Sequence, residues 1–208
     1  MCGRYYVDDE TAREMEKLVR QMDERKRKES LQAVGRIVSG DIYPGKDAPV
    51  LSGKDGSICF GWQHWGFPGF EGKKLIFNAR CESVLEKPMF RDGILHRRIV
   101  IPAAWFYEWN PRKEKYTFYR KNMPLLFMAG LGRRYEDGEH FVILTTAANA
   151  SMEPVHDRMP LILERQEIAE WVLDDTKTEG ILHKVPCLLE QKTDYEQLSL
   201  FSCRSLLS

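Results

Sequence analysis

The second residue offers chemistry that no internal position can copy. The chain opens Met1-Cys2-Gly3-Arg4-Tyr5, and removal of Met1 leaves a cysteine with a free α-amine and a thiol on adjacent carbons. An aldehyde can form a Schiff base with the amine, and the sulfur can then close a five-membered thiazolidine ring. The two groups titrate near ~8 and ~8.5 in unperturbed peptides, so both reactive forms are within reach at neutral pH. Aminopeptidases tolerate a side chain as small as that of Cys2, so the mature protein is expected to begin there.

Proton transfer would need partners. Glu108 lies in Trp105-Phe106-Tyr107-Glu108-Trp109, a carboxylate among large rings. Burying it is costly unless it is paired or protonated, and desolvation would raise its pKa towards the range useful for catalysis. An outward place on a half-exposed strand is the plainer alternative. His156 is followed by Asp157 and Arg158 in a loop, where an imidazole serves either structure or acid–base chemistry. Asn78 and Arg80 stand two apart on a strand and so share a face. Trp62 to Phe70 holds four large aromatics among glycines and a proline, which rules out a regular helix. The run is either a loop pinned by buried rings or a stacking platform for bases, burial being the better expectation for any one ring.

The elements that must position these residues are mostly strands. Arg4 to Val7 reads as a short opening strand. Thr11-Ala12-Arg13-Glu14 has the form of a capping box, followed by apolar residues at helical spacing (Ala12, Met15, Leu18, Val19, Met22) that run into a charged tail, Asp23 to Glu29. Ile42-Tyr43-Pro44-Gly45 is a turn. Pro49–Leu51 and Ile58–Phe60 are strands about the Lys54-Asp55-Gly56 hairpin turn. Lys74–Arg80, Ile99–Pro102, Leu125–Ala129 and His140–Thr146 are further strands, and Lys87-Pro88-Met89-Phe90-Arg91 reads as a turn with a basic pair. Ile168, Trp171 and Val172 mark a late helix. The fold class is therefore α+β, with mixed or antiparallel sheet in a single domain covering residues 1–208.

Composition narrows the function. The 208 residues suffice for one sizeable core. Lys plus Arg equals Asp plus Glu at 31 each, but residues 73–121 carry twelve basic against five acidic side chains, and residues 135–208 six against fourteen. A basic face can attract phosphates while the total is zero. The five cysteines (Cys2, Cys59, Cys81, Cys187, Cys203) are far apart with no CxxC pair, arguing against a disulfide framework or a structural zinc site. No metal or other cofactor is expected. No apolar run approaches the roughly 20 residues that span a bilayer, and the opening is not a signal peptide, so a cytoplasmic, reduced protein is expected.

Taken together and in order, Met1-Cys2-Gly3-Arg4, Trp65-Gly66 with the proline after it, Phe77-Asn78-Ala79-Arg80, Lys87-Pro88-Met89-Phe90-Arg91, Ile101-Pro102-Ala103 leading to Phe106-Tyr107-Glu108-Trp109, and His156-Asp157-Arg158-Met159-Pro160 resemble the SRAP family of abasic-site processing proteins. The resemblance implies coiled, barrel-like β-sheets flanked by helices, and a protein that crosslinks covalently to abasic sites in single-stranded DNA. By it, Cys2 is the nucleophile, Asn78 orients Cys2 and the sugar aldehyde, Glu108 shuttles protons, and His156 is the acid/base at the sugar ring oxygen and in reversal. Arg4, Arg80, Arg91 and Arg158 would hold phosphates, and Pro44, Trp65 and Met89 would wedge against neighbouring bases. A monomer, a possible strand-cleaving lyase activity and self-removal of Met1 follow as further expectations.

Two other classes compete. A thiol peptidase or amidohydrolase would pair Cys2 with His156 as nucleophile and base and would turn over on peptides. A non-covalent reader of single-stranded DNA or of peptides would bind normally after Cys2→Ala.

Overall fold

Asp8, three residues earlier than expected, starts the first helix. In the computed structural model, which describes residues 2–21, 24–69 and 74–193, strand β1 (Tyr5–Val7) runs into Asp8, whose carboxylate accepts the Thr11 N–H at 2.7 Å while the Thr11 hydroxyl accepts the Asp8 N–H at 3.1 Å. That reciprocal pair caps α1 (Asp9–Arg20). Thr11 is the inner partner of the box, and Glu14 is buried against Lys17 and Arg165. The charged tail is a second helix, α2 (Glu24–Val34). Of the residues named above, Met1, Met22, Asp23, Phe70, Lys73 and Cys203 lie outside the described residues.

β2 (Gly40–Ile42) is followed by the long hairpin of β3 (Asp47–Lys54) and β4 (Ser57–Trp65). Asp55 and Gly56 both take positive φ, 52° and 73°, the two-residue turn whose twist matches the flanking strands. Gly66 then turns the chain at φ +124°, a conformation open to glycine, into the short strands β5 (Phe67–Pro68), β6 (Leu75–Ile76) and β7 (Asn78–Arg80). Pro88 sits at the start of α3 (Pro88–His96), so the expected basic turn is helical. Pro preorganises a first helical turn, where its missing N–H costs nothing. β8 (Arg98–Ala103), β9 (Trp105–Trp109), β10 (Lys115–Tyr119), β11 (Leu126–Tyr135), β12 (Gly138–Ala147), β13 (Arg158–Pro160) and β14 (Ile162–Leu163) follow, then α4 (Glu167–Leu173), α5 (Thr178–Leu182) and β15 (Glu190–Thr193).

Two sheets result. β12 pairs with β4 on one side and β11 on the other, and β4–β3–β8–β11 completes the circuit, so five strands close into a barrel-like ring. The contacts of β12 with β4 and β7 are parallel and the other pairings antiparallel, matching the expected mixed sheet. The second sheet is open, in the order β15-β10-β9-β1-β2. Strand alternation divides the ring's side chains between two cores. Val100, Phe127, Ala129, Leu131, Val142 and Leu144 join Met15, Val19, Ile94 and Trp171 of the helices. Ile99, Ile101, Leu126, Met128, Phe141 and Ile143 join Tyr5, Phe106 and Phe118 of the open sheet, and Cys2 lies in this second core.

Candidate active site

Cys2 lies three residues before β1 and is 1% exposed. Its thiol points to the Arg4 carbonyl, Sγ–O 3.8 Å, and its own carbonyl accepts a hydrogen bond from Asn78 Nδ2 at 3.0 Å. Asn78 is held by β7, which pairs with β12 so that Asn78 lies opposite Ile143. Residue 78 thus reaches residue 2 because a parallel strand contact in the ring sets its place. Asn78 Oδ1 is buried and has no hydrogen-bond partner among the described residues.

Glu108 enters from β9. That strand pairs with β1, Tyr5 opposite Phe106, and Phe106 is fully buried in the core that holds Cys2. Two residues on, Glu108 faces the same way and is 4% exposed. The burial alternative from the sequence is the one the structure takes. Burial pushes the Cys2 thiol far up from its ordinary value, and the negative charge of Glu108 raises it further. The thiol is thus held in its neutral form, near enough to Glu108 to feel its charge.

Tyr5 is the residue sequence reasoning missed. It is fully buried, its hydroxyl has no hydrogen-bond partner among the described residues, and burial followed by the nearby Cys2 thiol pushes its phenol well up. The signal was available: with period two, an opening strand that turns Arg4 and Tyr6 outward turns Tyr5 and Val7 inward.

His156 lies in the loop between β12 and β13, next to Val155, which packs into the same core as Cys2. Its Nδ1 accepts the Arg158 backbone N–H at 3.0 Å and also lies 2.9 Å from Asp157 Oδ1. One nitrogen cannot accept and donate at once. The neutral ring serves the Arg158 amide, leaving its proton on Nε2, and the protonated ring can serve Asp157 instead.

The expected phosphate and base contacts divide. A groove of about 560 Å³ is lined by Asn78, Arg80, Lys87 and Met89 with apolar Ile76 and Pro88, and Arg80 and Arg91 are exposed. Pro44 is half-buried in its turn. Arg4 is ion-paired with Asp41 and lies over the rings of Tyr107 and Tyr43. Arg158 makes a two-pronged contact with Glu82, at 2.6 and 2.9 Å, and donates to the Thr145 carbonyl. Trp65 is a correction. It is fully buried, its indole N–H donates to the Phe77 carbonyl at 3.0 Å, and its ring packs on Tyr5 and Phe141. A side chain so enclosed has no face left for a base.

Among the described residues no group of three or more His, Cys, Asp or Glu is placed to hold a metal. No helix among them is long and apolar enough to cross a membrane.

A family model described as SOS response associated peptidase (SRAP) matches residues 1–204. The chain belongs to the SRAP family. Curated relatives of this SRAP chain include abasic site processing protein YedK of Escherichia coli, 29% identical over 83% of this chain and 79% of that protein. Another is abasic site processing protein YobE of Bacillus subtilis, 37% identical over 64% of this chain and 68% of its own. A crystal structure of a Bacteroides thetaiotaomicron protein superposes with a TM-score of 0.75 over 92% of this chain and 91% of that one, at 22% identity. The SRAP fold of the chain, with a barrel-like ring, an open sheet and flanking helices, is the one expected.

Proposed function

We propose that this SRAP chain processes abasic sites in single-stranded DNA by forming a covalent thiazolidine through Cys2, with Met1 removed. The observation that carries the reading is the convergence of Cys2, Asn78 and Glu108 from three distant stretches of sequence. The names of the curated relatives support the substrate class.

The chemistry follows from the groups present. An abasic sugar is in equilibrium with a ring-opened aldehyde, and His156, when its ring carries both protons, can donate one from Nε2 to the ring oxygen and stay neutral afterwards. The α-amine of Cys2 adds to the aldehyde carbon, and loss of one water gives the iminium. The Cys2 S–H passes its proton to Glu108 as sulfur bonds to the same carbon and the iminium electron pair returns to nitrogen. Aldehyde plus aminothiol becomes thiazolidine plus water. A neutral thiol beside a carboxylate suits this order, in which sulfur attacks last and an activated carbon is already waiting. Asn78 fixes the Cys2 carbonyl and so the direction of both nucleophiles. One chain supplies all these groups, so a monomer is the working unit.

The peptidase reading, present in the family's own description, asks for a thiolate at rest. The Cys2 thiol points to the Arg4 carbonyl, Sγ–O 3.8 Å, which weighs against it. Strand cleavage by β-elimination belongs to the Schiff base and competes with capture by sulfur.

Intact-mass measurement after mixing the protein with an abasic oligonucleotide tests the reading. The expected adduct weighs protein without Met1 plus oligonucleotide minus one water. An adduct that retains Met1, or none at all, refutes the mechanism.

A further inference from the structure

The outer face of the open sheet is paved with rings and cations that the reaction does not use. Alternation turns Tyr6 on β1 and Trp105 on β9 to that face, and they are register partners. Their rings stack at 4.4 Å between centroids, 5° from parallel. The Trp105 indole N–H donates to the Tyr107 hydroxyl at 2.7 Å. Lys192 on β15 lies 5.7 Å from the Trp105 ring centroid and 5.8 Å from that of Tyr119 on β10. At the other end Arg4 sits 4.8 Å from the Tyr107 ring centroid and 5.1 Å from that of Tyr43. Tyr43 and Trp109 keep 42% and 38% of their surface in solvent.

The pattern runs across four of the five strands, β15, β10, β9 and β1, three gaps of about 4.8 Å each, or about 14 Å, with Asp41 on β2 and Tyr43 just past it. Rings alternating with cations suit bases and phosphates, since every base has a π-face and every linkage a charge. A protein partner would favour an apolar centre depleted of charge. Acidic groups on or beside the face are few: Asp41 engages Arg4, Glu190 is the register partner of Tyr119, and Asp8 and Glu10 border the cleft beside Trp105. Arg4 joins this face to the active site, two residues from Cys2.

We propose that the outer face of the open sheet is a second track for single-stranded DNA, reached from the active site through Arg4. The strand flanking the captured nucleotide would lie over Trp105 and Tyr119, with Lys192 on a phosphate. This inference rests on the proposed abasic-site reading for the identity of its ligand.

The test measures binding of undamaged single strands of 5 and 15 nucleotides by fluorescence anisotropy, for wild type, Trp105→Ala and Lys192→Gln. Each variant is normalised to its own 5-mer, and circular dichroism checks its fold. Wild type should gain affinity with length. Trp105→Ala should lose about five- to tenfold of that gain, and Lys192→Gln should reduce the salt slope on the 15-mer by about one. Lys192 is exposed and makes no core contact, so its variant keeps the idea falsifiable should Trp105→Ala unfold. A length gain and salt slope equal in all three proteins overturns the track. Crosslinking of wild type to abasic strands is scored separately. Its absence, with the length gain lost in the variants, would retain the track and reject the abasic-site reading.

Discussion

The side-chain amide of Asn78 donates to the backbone carbonyl of Cys2 at 3.0 Å. The contact joins residues 76 positions apart through one parallel strand pairing, and it restrains the residue proposed to carry both nucleophiles.

Asn78→Ala should therefore slow crosslinking while leaving binding of undamaged DNA little changed. The hydrogen bond itself contributes about 1 kcal/mol, and misorientation of the nucleophile adds to the loss of rate. Crosslinking rate at saturating DNA, measured beside Kd, checks this. Equal loss in both would make Asn78 a binding residue only.

Tyr5→Phe removes a buried hydroxyl that has no partner among the described residues. An unsatisfied buried group costs about 1–3 kcal/mol, so the variant should be at least as stable as wild type in urea unfolding, by up to about 1 kcal/mol. A clear loss of stability would show that the hydroxyl is engaged.

Trp65→Ala should cost about 3–5 kcal/mol, the range for a large aromatic removed from a core. Unchanged stability with weakened DNA binding would restore Trp65 to the wedge.

Much of this was legible in the sequence, and the exceptions have physical causes. The cost of burying a carboxylate among aromatic rings pointed to Glu108, and the turn at Asp55-Gly56 was readable because two residues suffice to define it. Lys87–Arg91 was misread because a proline opens a helix as readily as it makes a turn, and the packing of Phe90 and Ile94 decides between them. Thr11 fits the outer or inner place of a capping box, and only the backbone at Asp8 selects one. Asn78 could be placed on a strand, but its reach to Cys2 depends on pairing with β12, which no local pattern encodes. Trp65 matched a family position, and its enclosure by Tyr5, Phe77 and Phe141 comes from three separate strands or loops.

Glu82 engages the Arg158 guanidinium through two hydrogen bonds. The Arg158 hydrogen bond is the first cause that keeps the Glu82 carboxyl below its usual value. A depressed carboxyl stabilises the contact above its unfolded pKa, and the contact is lost as pH falls through the lower folded value. At neutral pH the clamp is closed. Glu82→Gln should open it, tightening single-strand binding and steepening its salt dependence by about one phosphate's worth. An unchanged slope would leave Arg158 structural.

The most direct test of Cys2 and Glu108 is a time course of adduct formation with an abasic oligonucleotide on denaturing gels. Cys2→Ser keeps the α-amine but loses the sulfur trap, so it should give no heat-stable adduct, and strand nicking should appear through the unprotected Schiff base. Glu108→Gln removes the proton acceptor and should slow crosslinking by ~10²–10⁴-fold. A heat-stable adduct from Cys2→Ser at the wild-type rate, or normal reaction by Glu108→Gln, would contradict the account.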